Sequence, residues 1–230
     1  MIGDEPASFG VLIVAKAPVP GHVKTRLCPP LSLAQAADIA AAALLDTLAT
    51  ATSAVSGDVA RITVAIEGHV SEGARSGEVS QALRGCRIIK QRGDTFGERL
   101  THAHLDSAQH QSGVPQLQIG MDTPHITRAA MIEAASRLTE CGTDAVLGHA
   151  EDGGWWLLGL KNSQHAELLR RIPMSTPSTG ECTELALASM GLVVRHAEPM
   201  RDVDKWDDAV VVAQLCPSSL FGRAVRLMSK

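Results

Sequence analysis

Apolar residues come in short bursts along this chain, separated by polar breaks marked with glycine or proline. Seven bursts have strand character: Val11–Ala15 (VLIVA), Arg61–Glu67 (RITVAIE), Arg87–Gln91 (RIIKQ), Gln116–Gly120 (QLQIG), Asp144–His149 (DAVLGH), Trp155–Leu160 (WWLLGL) and Leu192–Ala197 (LVVRHA). They are short and rich in β-branched or aliphatic residues. Between them lie stretches that predict helices. Ser32-Leu33-Ala34-Gln35 reads as a capping box opening an Ala-rich helix to about Ser53. Glu72–Leu83 predicts a weaker helix, interrupted by Gly73 and Gly77, and Phe96–Gln111 a firmer one. Arg128–Glu140 (capped by Thr127), Ser163–Arg171, Thr179–Met190, Trp206–Leu215 and Leu220–Lys230 complete the set, the last with Arg223 and Arg226 outward. Strands separated by helices imply right-handed crossovers and a mostly parallel sheet, an α/β fold.

The length of 230 residues allows one substantial core, and no repeat or linker divides it, so a single domain over 1–230 is expected. A net charge of −4 offers no general attraction to nucleic acid or anionic lipid. No apolar run approaches the roughly 20 residues of a membrane helix, and MIGDEPASFG at the start lacks a signal pattern. The five cysteines are scattered and never spaced CxxC, which fits a reducing compartment. A cytoplasmic protein without nucleic-acid or membrane partners is expected, with the apolar C-terminal helix as a candidate homodimer surface.

Three places concentrate chemistry. The first strand empties into KAPVPGHVKTRL, where Gly21 allows close backbone approach and Lys16, Lys24 and Arg26 bring positive charge, a plausible phosphate-binding loop. It is neither a Walker A loop nor a G-x-G-x-x-G turn. Asp122 follows the fourth strand, where open α/β sheets bind ligands and where one carboxylate can hold Mg²⁺ or Mn²⁺ bridging to phosphates. The Asp202-Val203-Asp204 segment can complete that coordination, although Asp204 and Asp207 also suit helix capping. Glu151-Asp152-Gly153-Gly154-Trp155-Trp156 places two of three tryptophans beside two acids and two glycines. Neighbours on a strand face opposite ways, so one Trp is expected in the core and one at a site. His102, His104 and His110 share a helix but not a face, and are read as surface residues rather than metal ligands.

Six segments, KAPVPGHVKTRL, GERL, GMDTP, EDGGWWLLGL, IPMST and DVDKWDD, together resemble the DUF2064 family. This family of radical-SAM/selenodomain-associated transferases is related to phospholactate and molybdenum-cofactor guanylyltransferases in the nucleotide-diphospho-sugar transferase superfamily. The resemblance implies a GT-A-like fold: a mostly parallel central sheet flanked by helices, with a small antiparallel acceptor-side part. The nucleotide half would span about 10–125 and the acceptor half about 126–215. It further implies that Lys16, Gly21, Lys24 and Arg26 bind nucleotide and that Asp122 and Asp204 bind Mg²⁺ or Mn²⁺, with Asp202 the alternative late ligand. Glu151, Asp152, Gly153, Gly154, Trp155, Ser175 and Thr176 would bind the acceptor, and Lys24, Arg26 and Asp122 would carry catalysis. The implied reaction is nucleotidyl transfer, of guanylyl type, from an NTP to a small phosphate- or carboxylate-bearing acceptor, releasing pyrophosphate. Glycosyl transfer from a nucleotide sugar is the alternative, and a catalytically silent nucleotide-binding protein a second one. The sequence departs from the family at Met121, which replaces a small residue beside the expected metal site, at the Trp155-Trp156 pair, and at Lys205-Trp206.

Overall fold

The computed structural model describes residues 8–111 and 113–229. Residues 1–7, most of the stretch read for a signal pattern, lie outside it, as do Ser112 and Lys230. Seven strands form one sheet in the order β3-β2-β1-β4-β6-β5-β7. They are β1 (Gly10–Lys16), β2 (Ile62–Glu67), β3 (Arg87–Lys90), β4 (Gln116–Gly120), β5 (Ala145–Ala150), β6 (Trp155–Leu160) and β7 (Val194–Met200). β1 pairs parallel with β2 and β4, β2 with β3, and β5 with β7. β6 runs antiparallel between β4 and β5. The antiparallel part therefore lies inside the sheet, where the short 151–154 loop returns the chain directly beside β5.

The helices are α1 (Leu33–Ala54), α2 (Ser76–Ala82), α3 (Phe96–Ala108), α4 (Arg128–Thr139), α5 (Thr179–Ser189), α6 (Trp206–Leu215) and α7 (Leu220–Met228); Ser163–Arg171 is a 3-10 helix. The capping box of α1 is formed as expected, Gln35 N–H donating to Ser32 Oγ while Gln35 Oε1 accepts from Ser32 N–H at 2.9 Å. Thr127 caps α4. α3 and α5 stop a residue or more early, and the weak helix at Glu72–Leu83 shortens to α2.

At 22 residues, α1 is long and apolar enough to cross a membrane, contrary to the expectation from the apolar runs. Its burial gives another reason for that composition. Ala37, Ala40, Ala41, Leu44 and Leu48 pack on the sheet, while Ala36, Ile39, Ala42 and Ala43 join a second core with Val203, Val212, Phe221 and Val225. A helix covered on two sides reads as apolar all round. Asp46 on α1 accepts from the N–H groups of Leu220 and Phe221 at 3.0 and 2.7 Å, placing a carboxylate at the start of α7. Phe221, Ala224 and Val225 of α7 are thus buried against α1, while Leu227 stays 71% exposed.

His104 corrects the reading of surface histidines. Gly97, Leu100, Thr101, His104 and Ser107 form the buried stripe of α3, and His104 is fully enclosed. Neither ring nitrogen makes a well-formed hydrogen bond. Burial pushes its pKa down from 6.5 to about 4, with Gln118 opposing weakly. Because the folded-state value lies below the unfolded one, the unfolded chain binds the proton more readily. Stability is complete above the unfolded pKa and declines as pH falls toward the folded value, by roughly 3 kcal/mol in all. Urea unfolding across that window is expected to show the loss in the wild type and a flatter profile in His104→Leu.

Candidate functional site

The parallel strands β1 and β4 end side by side where the chain leaves the sheet in opposite directions, the place at which open α/β sheets form crevices. Gln91 closes the strand ends on one side, its Nε2 donating to the carbonyls of Ala15 and Ala65 at 2.8 and 2.9 Å. After β4, Met121 turns inward and is 5% exposed. Its Sδ accepts from Lys16 N–H at 3.3 Å. This residue therefore belongs largely to the core, and the next one, Asp122, faces the crevice half-exposed.

The basic loop folds back over that point. Lys24 is a non-glycine residue in left-handed backbone, φ 49° and ψ 32°, a conformation costing about 1 kcal/mol and worth explaining where it occurs. It aims the side chain at two partners: Nζ lies 2.7 Å from Asp122 Oδ1 and donates to the Val203 carbonyl. Val203 N–H in turn donates to the Asp122 carbonyl at 2.8 Å. Arg26 pairs with Asp204 Oδ2 at 2.7 Å. Lys24, Arg26, Asp122 and Asp204, drawn from both ends of the chain, thus meet around one opening.

Two compartments adjoin there, sharing Val14, Arg26, Phe96, Asp122 and Asp204. The first, about 320 Å³, is lined by Lys16, His22, Lys24, Thr25, Gln91 and Met121 as well. The second, about 420 Å³, adds Gln118, Asp152, Gly154, Trp155, Ser175, Thr176 and Asp202. Trp156 is 3% exposed and donates Nε1–H to the Glu198 carbonyl, whereas Trp155 lines the second compartment with Nε1 unpartnered. The pair divides as alternation requires. Gly153, at φ +90°, has no room for a side chain: a Cβ there would lie 1.9 Å from the Pro177 carbonyl oxygen. Its carbonyl accepts from Gly180 N–H at 2.8 Å, so the 153–154 backbone and the start of α5 form one wall.

Several expected site residues stand elsewhere. Glu151 points away and binds Arg201, its Oε2 accepting from Nε at 2.8 Å. Gly153 shapes the wall rather than lining the space. Gly21, at φ +83°, serves the turn and lines neither compartment. The acid that assists the start of α6 is Asp208, which accepts from Lys205 N–H at 2.9 Å, not Asp204 or Asp207. Asp202 joins the site: burial first, then the neighbouring charge of Asp152, push its carboxyl up to about 6, Asp122 adding a little and Lys24 opposing. Gln91 and Gln118 went unnoticed in the sequence, although a glutamine inside the buried run QLQIG is a readable anomaly. Gln118 is 2% exposed, with Oε1 unpartnered.

The donor chemistry of the opening suits a hard divalent cation. Asp122, Asp202 and Asp204 supply carboxylate oxygens alone, and the upward shift of Asp202 reflects its burial first and the neighbouring Asp152 charge second. They do not close into a cage of three ligands, which Mg²⁺ does not need when substrate phosphates complete its shell.

This architecture defines a class: the nucleotide-diphospho-sugar transferase fold. A protein provisionally named a nucleotide-diphospho-sugar transferase, from Desulfovibrio desulfuricans G20, superposes with a TM-score of 0.77 at 24% identity, over 97% of this chain and 94% of that one. A cytidylyltransferase from Leptospira borgpetersenii gives 0.58 at 12% identity, covering 97% and 94%. The 4-diphosphocytidyl-2C-methyl-D-erythritol synthase of Anaerococcus prevotii gives 0.54 at 9%, covering 96% and 97%. No curated protein matches the chain. The chain belongs to the DUF2064 family, described as an uncharacterized protein conserved in bacteria, whose sequence profile matches residues 47–176. That span holds Asp122 and Trp155; Lys24, Arg26, Asp202 and Asp204 lie outside it and are united with them by the fold.

Lys24→Met is expected to free the Val203 carbonyl and leave Asp122 unpaired. The half-exposed carboxylate limits the loss to about 1–2 kcal/mol. Chemical denaturation would measure it, and faster hydrogen exchange at the Val203 amide would locate it.

Proposed function

We propose that this protein is a metal-dependent, nucleotide-using transferase, with nucleotidyl transfer from an NTP as the leading reaction. The observation that carries the reading is the Lys24–Asp122 and Arg26–Asp204 pairing at the opening shared by two compartments. A bound triphosphate competes with those carboxylates for the same cations, so Lys16, Lys24 and Arg26 are positioned to neutralise the donor's phosphates. Asp122 and Asp204, with Asp202 beside them, would hold Mg²⁺ or Mn²⁺. Such an ion, when bound, screens phosphate charge that otherwise repels a nucleophile. Transfer then needs alignment more than side-chain chemistry: an acceptor oxygen attacks the α-phosphorus, the bond to the β-phosphate breaks, and pyrophosphate leaves.

The second compartment shapes the acceptor. Its one cation is Arg26, already paired, whereas Asp122, Asp152, Asp202 and Asp204 all line it. With a divalent ion on Asp122, Asp202 and Asp204, that ion and Arg26 are the groups that would meet an acceptor phosphate or carboxylate, whereas Asp152 suits a hydroxyl. Trp155 Nε1–H, unpartnered, suits a polyol's hydrogen bonds, and the Trp155 ring suits its apolar face. The same surroundings favour, as a second reading, glycosyl transfer from a nucleotide sugar whose sugar occupies this space.

A thermal-shift panel of NTPs and nucleotide sugars, with and without Mg²⁺ or Mn²⁺, separates the two donors. Pyrophosphate release marks nucleotidyl transfer, and a nucleoside diphosphate or monophosphate marks glycosyl transfer. Asp122→Ala is expected to abolish turnover with the fold retained; metal-dependent activity surviving in that variant would overturn the proposal.

A further inference from the structure

Away from the cleft, β5 and β7 pair in parallel with Leu147 opposite His196. The register breaks after Gly148, and both imidazoles lie on the sheet face that α5 covers, each against Glu184. α5 approaches closely because residue 180 is glycine: a Cβ there would lie 2.7 Å from His149 Nδ1 and 2.6 Å from the Gly154 carbonyl oxygen. One turn further along, Glu184 is brought over the two rings. His149 Nε2 lies 3.1 Å from Glu184 Oε2, and His196 Nε2 lies 2.9 Å from Oε1. The rings stack with centroids 5.8 Å apart and planes 20° from parallel.

We propose that His149, Glu184 and His196 bind a divalent transition metal of the zinc class. Three donor atoms from three elements lie within 4.8 Å of one another. Donors about 2.1 Å from a tetrahedral ion stand roughly 3.4 Å apart. Each imidazole already lies about that far from a Glu184 oxygen, and the ion enters as the side chains draw together from within 4.8 Å. Two imidazoles and one carboxylate suit Zn²⁺, Co²⁺ or Ni²⁺ over Mg²⁺, and three protein ligands leave a position for water. Glu184 and His149 are half-buried and His196 is exposed, so the ion reaches the site from solvent. Its effect is mechanical. It pins α5, whose first turn forms the wall with Gly153 and lines the second compartment through Thr179. The inference does not rest on the transferase reading.

The test uses the full chain stripped with EDTA and titrated with Zn²⁺ by calorimetry in excess Mg²⁺. One equivalent is expected to bind, raising Tm by about 5 °C when zinc stands near a hundred times its Kd. Asp122→Ala is expected to bind zinc like the wild type, which separates this site from the cleft. His196→Ala and Glu184→Gln, both at accessible positions, are expected to lose affinity by more than about tenfold while melting normally without metal. Co²⁺ in place of zinc gives a visible absorption band that the same variants lose. No saturable binding in the wild type, or equal binding in both variants, overturns the proposal.

Discussion

The arrangement of the cleft depends on one side chain placed where three pieces of chain meet. Lys24 reaches from the loop after β1 to the carboxylate after β4 and to a carbonyl between β7 and α6. Without a cation there, the Asp122 carboxylate and the Val203 carbonyl would present like partial charges to each other across a largely buried gap. With it, both are satisfied, and the reciprocal Val203–Asp122 backbone bond can close. The left-handed backbone of Lys24 is the local cost of reaching both, and the surrounding contacts outweigh it. Whatever ligand the cleft takes must work against, or replace, these pairings.

This clamp is possible because α1 is buried twice. One face covers the sheet and fixes the strands whose ends form the crevice. The other receives α6 and α7, and so brings the late Asp202–Asp204 segment back to a loop that precedes it by some 180 positions. Asp46 strengthens that return by meeting the start of α7. Val203, 1% exposed between the two acids, anchors the segment, and its flanking carboxylates line the cleft.

Much of the fold was legible because its signals are local. Short β-branched runs, the Ser32–Gln35 capping box and the alternation of Trp155 with Trp156 each report on a few consecutive residues. What was missed depended on distant partners. His104 looked like a surface residue until Leu100 and Thr101 are seen to share its stripe, which a helical projection does reveal. Glu151 looked like a site acid because nothing in its neighbourhood announces Arg201, fifty positions away. Met121 looked like an obstruction, yet its sulfur is turned to the core and to Lys16. The His149, Glu184 and His196 group has no sequence spacing to betray it, since two strands and a helix must be in place before the three residues meet.

The two compartments differ in charge, and on the proposed function that difference separates donor from acceptor. The first carries three cations against two acids, the second a single paired cation against four acids. A polyphosphate is drawn to the former and repelled by the latter, so the donor's reactive end is oriented before any specific contact forms. At the boundary stand the charged residues common to both, Arg26, Asp122 and Asp204. A group passed from one compartment to the other crosses that boundary. On the proposed function, an acceptor hydroxyl entering the second compartment would meet Asp152, the one lining acid outside the three read as metal ligands, as the group to take its proton.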